Sequence, residues 1–328
     1  MAANILTDPG LMPELRRVDH GFFGPDSVAW RVWTHPSILI GLQRAVAVQF
    51  LNPFFTAAHD DAQAIYKYPG HFYDMTLGFL LSGILGDSRT ALQTSDFIMR
   101  IHTRATGIEP ISGRRYHANN PETQLFTHID GWQSMLKCYE VFGPGPLSPA
   151  DDHRFWNECA TAAELFTCKP DDIPRSRDGV REYYATLRPQ LCVTEAALSG
   201  MRQLLATSGP NSTAKLAAFS RFATPATLIT LPSWMRRLIG FDQPAAVDRA
   251  YLPFMRGLLG TLNKSKRATR TTVRLAAPIS GRILRQHWAA GTPRRAEVAT
   301  VAEARKLYRQ ELRDENGFSS DTEYTAAH

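Results

Sequence analysis

The sequence predicts an all-α fold, a multi-helix bundle, on three observations. No stretch keeps the period-2 alternation of a half-buried strand. No Asn-Gly or Asp-Gly pair joins two apolar runs as a hairpin turn would. Apolar residues recur instead at spacings of three and four along most of the chain. The 328 residues, 44% apolar and 21% charged, suit a globular protein with a large core, which excludes a disordered or fibrous chain.

Taken in order, a first helix is expected from about Pro36 to Ala58, kinked or split at Pro53. A second runs from about Phe72 to Leu85 and stops near Gly86. A third runs from Asp87 or Ser88 to Thr106, ended by Gly107. The fourth has the clearest start: Asn120 caps, Pro121 suits the first helical position, and Glu122 suits the positive end of the helix dipole. It runs to about Phe142, before Gly143. Ser148-Pro149-Ala150-Asp151 repeats that signal for a helix reaching about Cys168. Residues 107–120, rich in Gly, Pro and Asn, read as an ordered loop. Further helices are expected over 181–207, 211–223, 232–240, 244–262 and 264–288, the last broken near Pro278.

Charge is unevenly placed. Residues 201–328 carry a net +11 and residues 1–200 a net −5. A basic C-terminal part fits an anionic membrane surface, and 262–285, LNKSKRATRTTVRLAAPISGRILR, is the segment expected to meet one. No zinc-finger spacing, RNP-type run or basic zipper points to nucleic acid. The four cysteines, at 138, 159, 168 and 192, form no CxxC pair and are expected as reduced, mostly buried thiols. No secretory signal is read at the N-terminus. No apolar run reaches the roughly 18–20 residues of a spanning helix, so the expectation is a cytoplasmic protein that at most touches a membrane peripherally.

The chemistry-bearing residues lie on apolar stripes. On the third helix Ile98, Ile101, His102 and Ala105 share a face. On the fourth, Leu125, His128, Ile129, Trp132, Leu136 and Tyr139 do, and on the second Phe72, Thr76, Phe79, Leu80 and Gly83. A buried imidazole needs a hydrogen-bond partner or a metal to offset its lost water. From pattern alone the pair His102 and His128 reads either as two satisfied core histidines or as a His-centred site.

MRIHTRATG (99–107) and YHANNPETQLFTHIDGW (116–132) resemble the signature of the MpaB/rubber-oxygenase (latex-clearing-protein-like) family: a His on one helix, a Tyr-x-Ala-x-x-Pro-Glu loop, then an aromatic-x-His. The entry segment 21–53, with Arg44-Ala45 and Pro53, and LPSWMRRLIGF (231–241) resemble it too. The likeness covers about 20–245. That division leaves an N-terminal arm at 1–19, a basic helical extension over 246–315 packed on the same domain, and a polar tail at 316–328 expected to fray.

The resemblance implies a globin-like helical bundle enclosing a heme pocket. It implies heme b, dioxygen, and a hydrophobic or polyprenyl substrate cleaved at a carbon–carbon double bond. By position, His102 matches the axial ligand of the iron and Thr76 the Thr of an Arg-x-x-Lys-Thr run on the other heme face. His128 matches a further motif histidine. Ile98, Trp132 and Arg114 are further candidates to line the heme or reach its propionates. The run departs from the family at Phe72 and Met75, which replace the Arg and the Lys. Met75 is a soft axial ligand or core filler. Asp60, Asp61 and Asp74 are read as solvated surface acids before catalytic bases. Two other readings stand beside the oxygenase. One is a non-catalytic heme or hydrophobic-ligand binder that has lost the distal basic groups. The other is a non-heme metalloenzyme built on His102, His128 and Glu122 or Asp130.

Overall fold

The computed structural model describes residues 17–206, 214–293, 295 and 297–316; expectations for 1–16 and 317–328 lie outside the described residues. The fold is all-α, with sixteen α-helices and one small hairpin among the described residues. A smaller cluster gathers Ile40, Cys138, Phe142, Ala226, Met255 and Leu259, and the main core cluster draws side chains from Phe22 to Leu312. Two helices form its axis. Helix α2 (Ile38–Gln49) is buried along its whole length, and α7 (Pro121–Phe142) crosses it in the largest helix–helix contact of the molecule. The crossing is close at Gly41, where a Cβ would stand 2.5 Å from the Met135 sulfur. Helix α7 starts and stops where its caps dictate: Asn120 accepts from Glu122 N–H, Pro121 follows, and Gly143 ends it.

Helix α1 (Val28–Trp33) precedes this pair and packs on α8 (Pro149–Ala163). After α2 the chain turns 105° into α3 (Pro53–Ala62), because Asn52 caps the two N–H groups after Pro53. The expected single helix is therefore split. A short α4 (Ala64–Lys67) leads to the antiparallel pair α5 (Pro69–Leu85) and α6 (Ser88–His102). Residues 107–120, expected as a loop, contain a hairpin pairing β1 (Thr106–Ile108) with β2 (Arg115–His117). Its turn is held by Glu109, whose carboxylate accepts from Ile111 N–H and from the N–H and hydroxyl of Ser112.

The expected helix over 181–207 is three pieces: α9 (Arg177–Leu187), a 3-10 turn containing Pro189, and α10 (Glu195–Ala206). Helix α11 (Ala214–Thr230) packs on α2, followed by α12 (Ser233–Ile239), α13 (Ala245–Asn263), α14 (Lys266–Ala276) and α15 (Pro278–Ala289). The expected surface role of 262–285 needs correction in its second half. Ile279, Ser280, Ile283 and Leu284 are buried against α5, and most of the exposed basic side chains of the segment lie on α14. The cause is Asp74. This carboxylate is buried and accepts from Ile279 N–H (2.8 Å) and from the N–H and hydroxyl of Ser280 (both 2.9 Å), fixing the start of α15. Asp74 is thus not a solvated acid, and loss of water holds its pKa above the ordinary carboxylate value. Helix α16 (Val301–Asn316) lies almost entirely within the helical extension expected over 246–315, although no separate helix is expected there. Its Val301, Ala304, Tyr308 and Leu312 keep the helical spacing and pack in the core, with α6 as the neighbour.

All four cysteines are free and three are buried, as the sequence indicates. No single described helix is long and apolar enough to cross a membrane. The bent pair α2–α3 meets that test only jointly, and α2 is core.

Candidate functional site

His102 ends α6 and is half-buried. Its Nδ1 lies 3.0 Å from the Gln124 amide nitrogen on α7, which also donates to Ala118 O at 2.6 Å. An amide nitrogen only donates, so Nδ1 accepts and the neutral ring carries its proton on Nε2. Loss of water pushes the pKa down to about 4. The imidazoles of His59 and His117 add to the shift, and Asn119 opposes it. His102 is therefore neutral at pH 7.

His59, on α3, was not singled out from the sequence. Its ring stacks on Phe55 (3.9 Å between centroids) and meets the edge of Phe72 (5.5 Å). Its Nδ1–H donates to Phe55 O at 3.0 Å, which leaves the lone pair on Nε2. Burial pushes this imidazole down to about 4 as well. The two neighbouring rings thus hold opposite tautomers. The available signal was the Phe55–His59 spacing, one helical turn on a helix fixed by Asn52. His117 completes the group, its Nδ1 accepting from Asn119 N–H at 3.0 Å.

His128 sits one turn beyond Gln124 on α7, yet its imidazole is engaged elsewhere. Nε2–H donates to Cys159 O (2.8 Å), and Trp132 and Phe166 flank the ring at 5.9 and 6.0 Å. Burial pushes its pKa down to about 4. Trp132 lies in an aromatic cluster with Phe23, Trp33 and Phe155. On α5, Thr76 and Phe72 are half-buried, and Met75 is core. Ile98 packs partly buried on α6. Arg114 is exposed, its guanidinium over the Phe54 ring at 5.3 Å. Of the expected surface acids, Asp61 accepts from the Tyr116 hydroxyl and so ties α3 to the hairpin.

The non-heme arrangement is not assembled. Among the described residues no three His, Cys, Asp or Glu side chains gather as metal ligands. Glu122 is exposed at the start of α7. Asp130 belongs to a second polar cluster, where its Oδ1 accepts from the Tyr184 hydroxyl (3.0 Å) and stands 4.0 Å from Arg44 Nη1. Loss of water outweighs the Arg44 charge and pushes Asp130 up to about 7. Three cavities of about 430 to 500 Å³ are described; none is lined by His102, Thr76, Met75 or Phe72.

The chain matches no curated protein and no solved structure. One family model does match: ER-bound oxygenase mpaB/B'/rubber oxygenase, catalytic domain, over residues 30–263. The match covers more than half of the chain and contains His59, Thr76, His102, Gln124 and His128. The chain therefore belongs to the MpaB/rubber-oxygenase catalytic-domain family.

Proposed function

We propose that this protein is a heme b-dependent oxygenase that uses dioxygen on a hydrophobic alkene such as a polyprenyl chain, with His102 as the axial ligand of the iron. The carrying observation is the family match, with the motif histidine His102 held neutral at the end of α6. The donor chemistry fits the group: a neutral imidazole with a partner at its Nδ1, and no group of three metal-binding side chains among the described residues to compete. Proton placement is the part that must change. If Nε2 held the group, the ring would carry its proton on Nδ1, and the Gln124 amide would turn its oxygen toward His102 in place of its nitrogen. Gln124 is then the residue that fixes the ring's orientation and proton. Bound heme supplies dioxygen activation; the chain supplies placement and an apolar surround. Thr76 is the polar group assigned to the opposite face.

An absorption spectrum of the purified protein tests this. A Soret band that His102→Ala removes and Thr76→Ala retains is expected, with dioxygen consumption on polyprenyl substrate falling in both. A protein that folds, takes up no heme and consumes no dioxygen overturns the reading.

A second reading, a non-catalytic binder of heme or hydrophobic ligand, is favoured by one observation. Both positions of the missing basic groups are filled by apolar packing, Phe72 against His59 and Met75 in the core. Heme retention without substrate-dependent dioxygen uptake distinguishes it. Peripheral contact with anionic membrane is assigned to the α11–α14 surface. Phe222, Phe254 and Leu275 are exposed there, among eleven Lys and Arg but two Asp over 214–276. Co-sedimentation with phosphatidylserine vesicles that salt reverses is the expected result.

A further inference from the structure

Further along α7 than Gln124, the chain walls a second space that the oxygenase reading does not use. A cavity of about 460 Å³ lies between α2, α7, α9 and α12. That volume falls within the range of small-molecule sites. Its lining joins apolar side chains, Val48, Leu136, Leu191 and Met235 among them, to polar and charged ones that include Arg44, Lys137 and Glu140.

Glu140, Gln133 and Tyr184 on its lining are paired within the protein, whereas two donors are not fully matched. Arg44 lines the cavity and is 3% exposed. Its Nη1 donates to Gln133 (2.9 Å) and Ser134 (2.5 Å) and its Nε to Thr230 O (3.5 Å), while Nη2 donates to no group among the described residues. Its ionic partner, Asp130, is at 4.0 Å and is itself shared with Tyr184. Trp156, 1% exposed, also lines the cavity, and its Nε1–H has no partner. A buried unpaired N–H costs about 1–3 kcal/mol, so such a donor at a cavity wall marks a place for an acceptor.

At the rim stand Lys137 and Arg188, both exposed. Neither forms an ion pair among the described residues; Arg188 lies over the Trp234 ring at 4.5 Å. The other rim cations are already matched, Arg177 by Glu140 and Asp152, and Arg181 by Asp178. The unmatched groups on the lining are therefore donors or cations; the neighbouring Asp130 Oδ2, which does not line the cavity, is also without a partner.

We propose that this cavity binds an amphipathic monocarboxylate. The carboxylate accepts from Trp156 Nε1 and is paired by the Arg44 guanidinium, the apolar body lies against Leu191, Met235 and Trp234, and Lys137 and Arg188 attract the anion to the mouth. An inorganic anion leaves the apolar walls uncovered, and a neutral alcohol leaves the guanidinium unmatched.

Titration calorimetry with sodium decanoate, 1-decanol and inorganic phosphate tests the assignment on the full chain. Decanoate is expected to bind saturably with one site, at least tenfold tighter than decanol, with phosphate failing to compete. Trp156→Phe, which keeps the ring and removes the donor, weakens decanoate about tenfold and leaves decanol unchanged. Lys137→Glu with Arg188→Glu, both on the surface, weakens decanoate about tenfold at low salt. Ala185→Trp, an exposed position at the cavity wall, excludes both ligands. His102→Ala leaves decanoate binding intact, which separates this site from the heme assignment. Equal affinity for decanoate and decanol, or decanoate binding unaffected by Ala185→Trp, overturns the proposal.

Discussion

Two polar clusters hang on the same helix, α7, and solve burial in opposite ways. Around Gln124 the groups are neutral: His102 and His59 give up their charge and spend their ring nitrogens on an amide and a backbone carbonyl. Around Asp130, less than two turns further on, a guanidinium stays charged and the carboxyl carries the cost of the dry environment. The difference follows from the partners in reach. Imidazole near pH 7 needs one acceptor or donor per nitrogen, whereas Arg44 cannot lose its proton and must be matched. A neutral cluster can receive a metal. A charged one with an unmet donor can receive an anion.

Acid is the largest way to break this contrast. His35, His59, His102, His128 and His287 are all pushed down to about 4 by burial. Between pH 6.5 and 4 the unfolded chain takes up these protons and the folded one does not. Stability therefore falls with pH in that window, by up to about 1.4 kcal/mol per unit for each group. Asp130, raised to about 7, has the opposite sign: the folded form is protonated first, so its contribution improves as pH falls from 7 toward 4. Five histidines outweigh it. Urea melts from pH 7 to pH 4.5 are expected to show a net loss, and proton NMR should show the His102 ring still neutral at pH 5.

Arg44→Ala comes next. It leaves Ser134 and Gln133 without their Arg44 donor and Asp130 without its opposite charge, and a cost of about 3–5 kcal/mol in urea midpoint stability is expected. Asp74→Ala follows, at about 2–4 kcal/mol, because the N–H groups of Ile279 and Ser280 lose their acceptor. A melt within 0.5 kcal/mol of the parent would mean that α15 does not depend on this cap. Gly281→Ala separates packing from polar effects, since its Cβ would meet the Arg274 backbone at 2.6 Å. About 1–3 kcal/mol is expected from overpacking. The smallest effect sharpens the neutral cluster. Gln124→Glu provides an acceptor for His102 Nδ1–H and should shift the heme reduction potential downward while heme is retained; Gln124→Leu should lower heme occupancy.

Much of this was readable from local chemistry. Asn120, Pro121 and Gly143 set α7 to the residue, because caps and helix-breakers act within one turn. The stripe that put His128 inside was equally plain. Its partner was not, because Cys159 O lies 31 residues away on α8. The same holds for His102 and Gln124, 22 residues apart. Asp74 looked like a surface acid because the two N–H groups that hold it lie more than 200 residues downstream. Helix α16 was legible after the fact, its buried positions spaced 3, 4 and 4 on an otherwise polar helix.

The sequence by itself determined the helical class, most helix ends, the family, and that His102 and His128 lie on inward-facing stripes. These follow from periodicity, caps and short motifs, all carried by neighbouring residues. Only the tertiary structure decided which ring nitrogen holds a proton, that His59 stands beside His102, that Asp74 starts α15, and that Arg44 and Trp156 face one cavity. Each depends on groups that meet across helix contacts, and no local pattern encodes which partner arrives or which way it points.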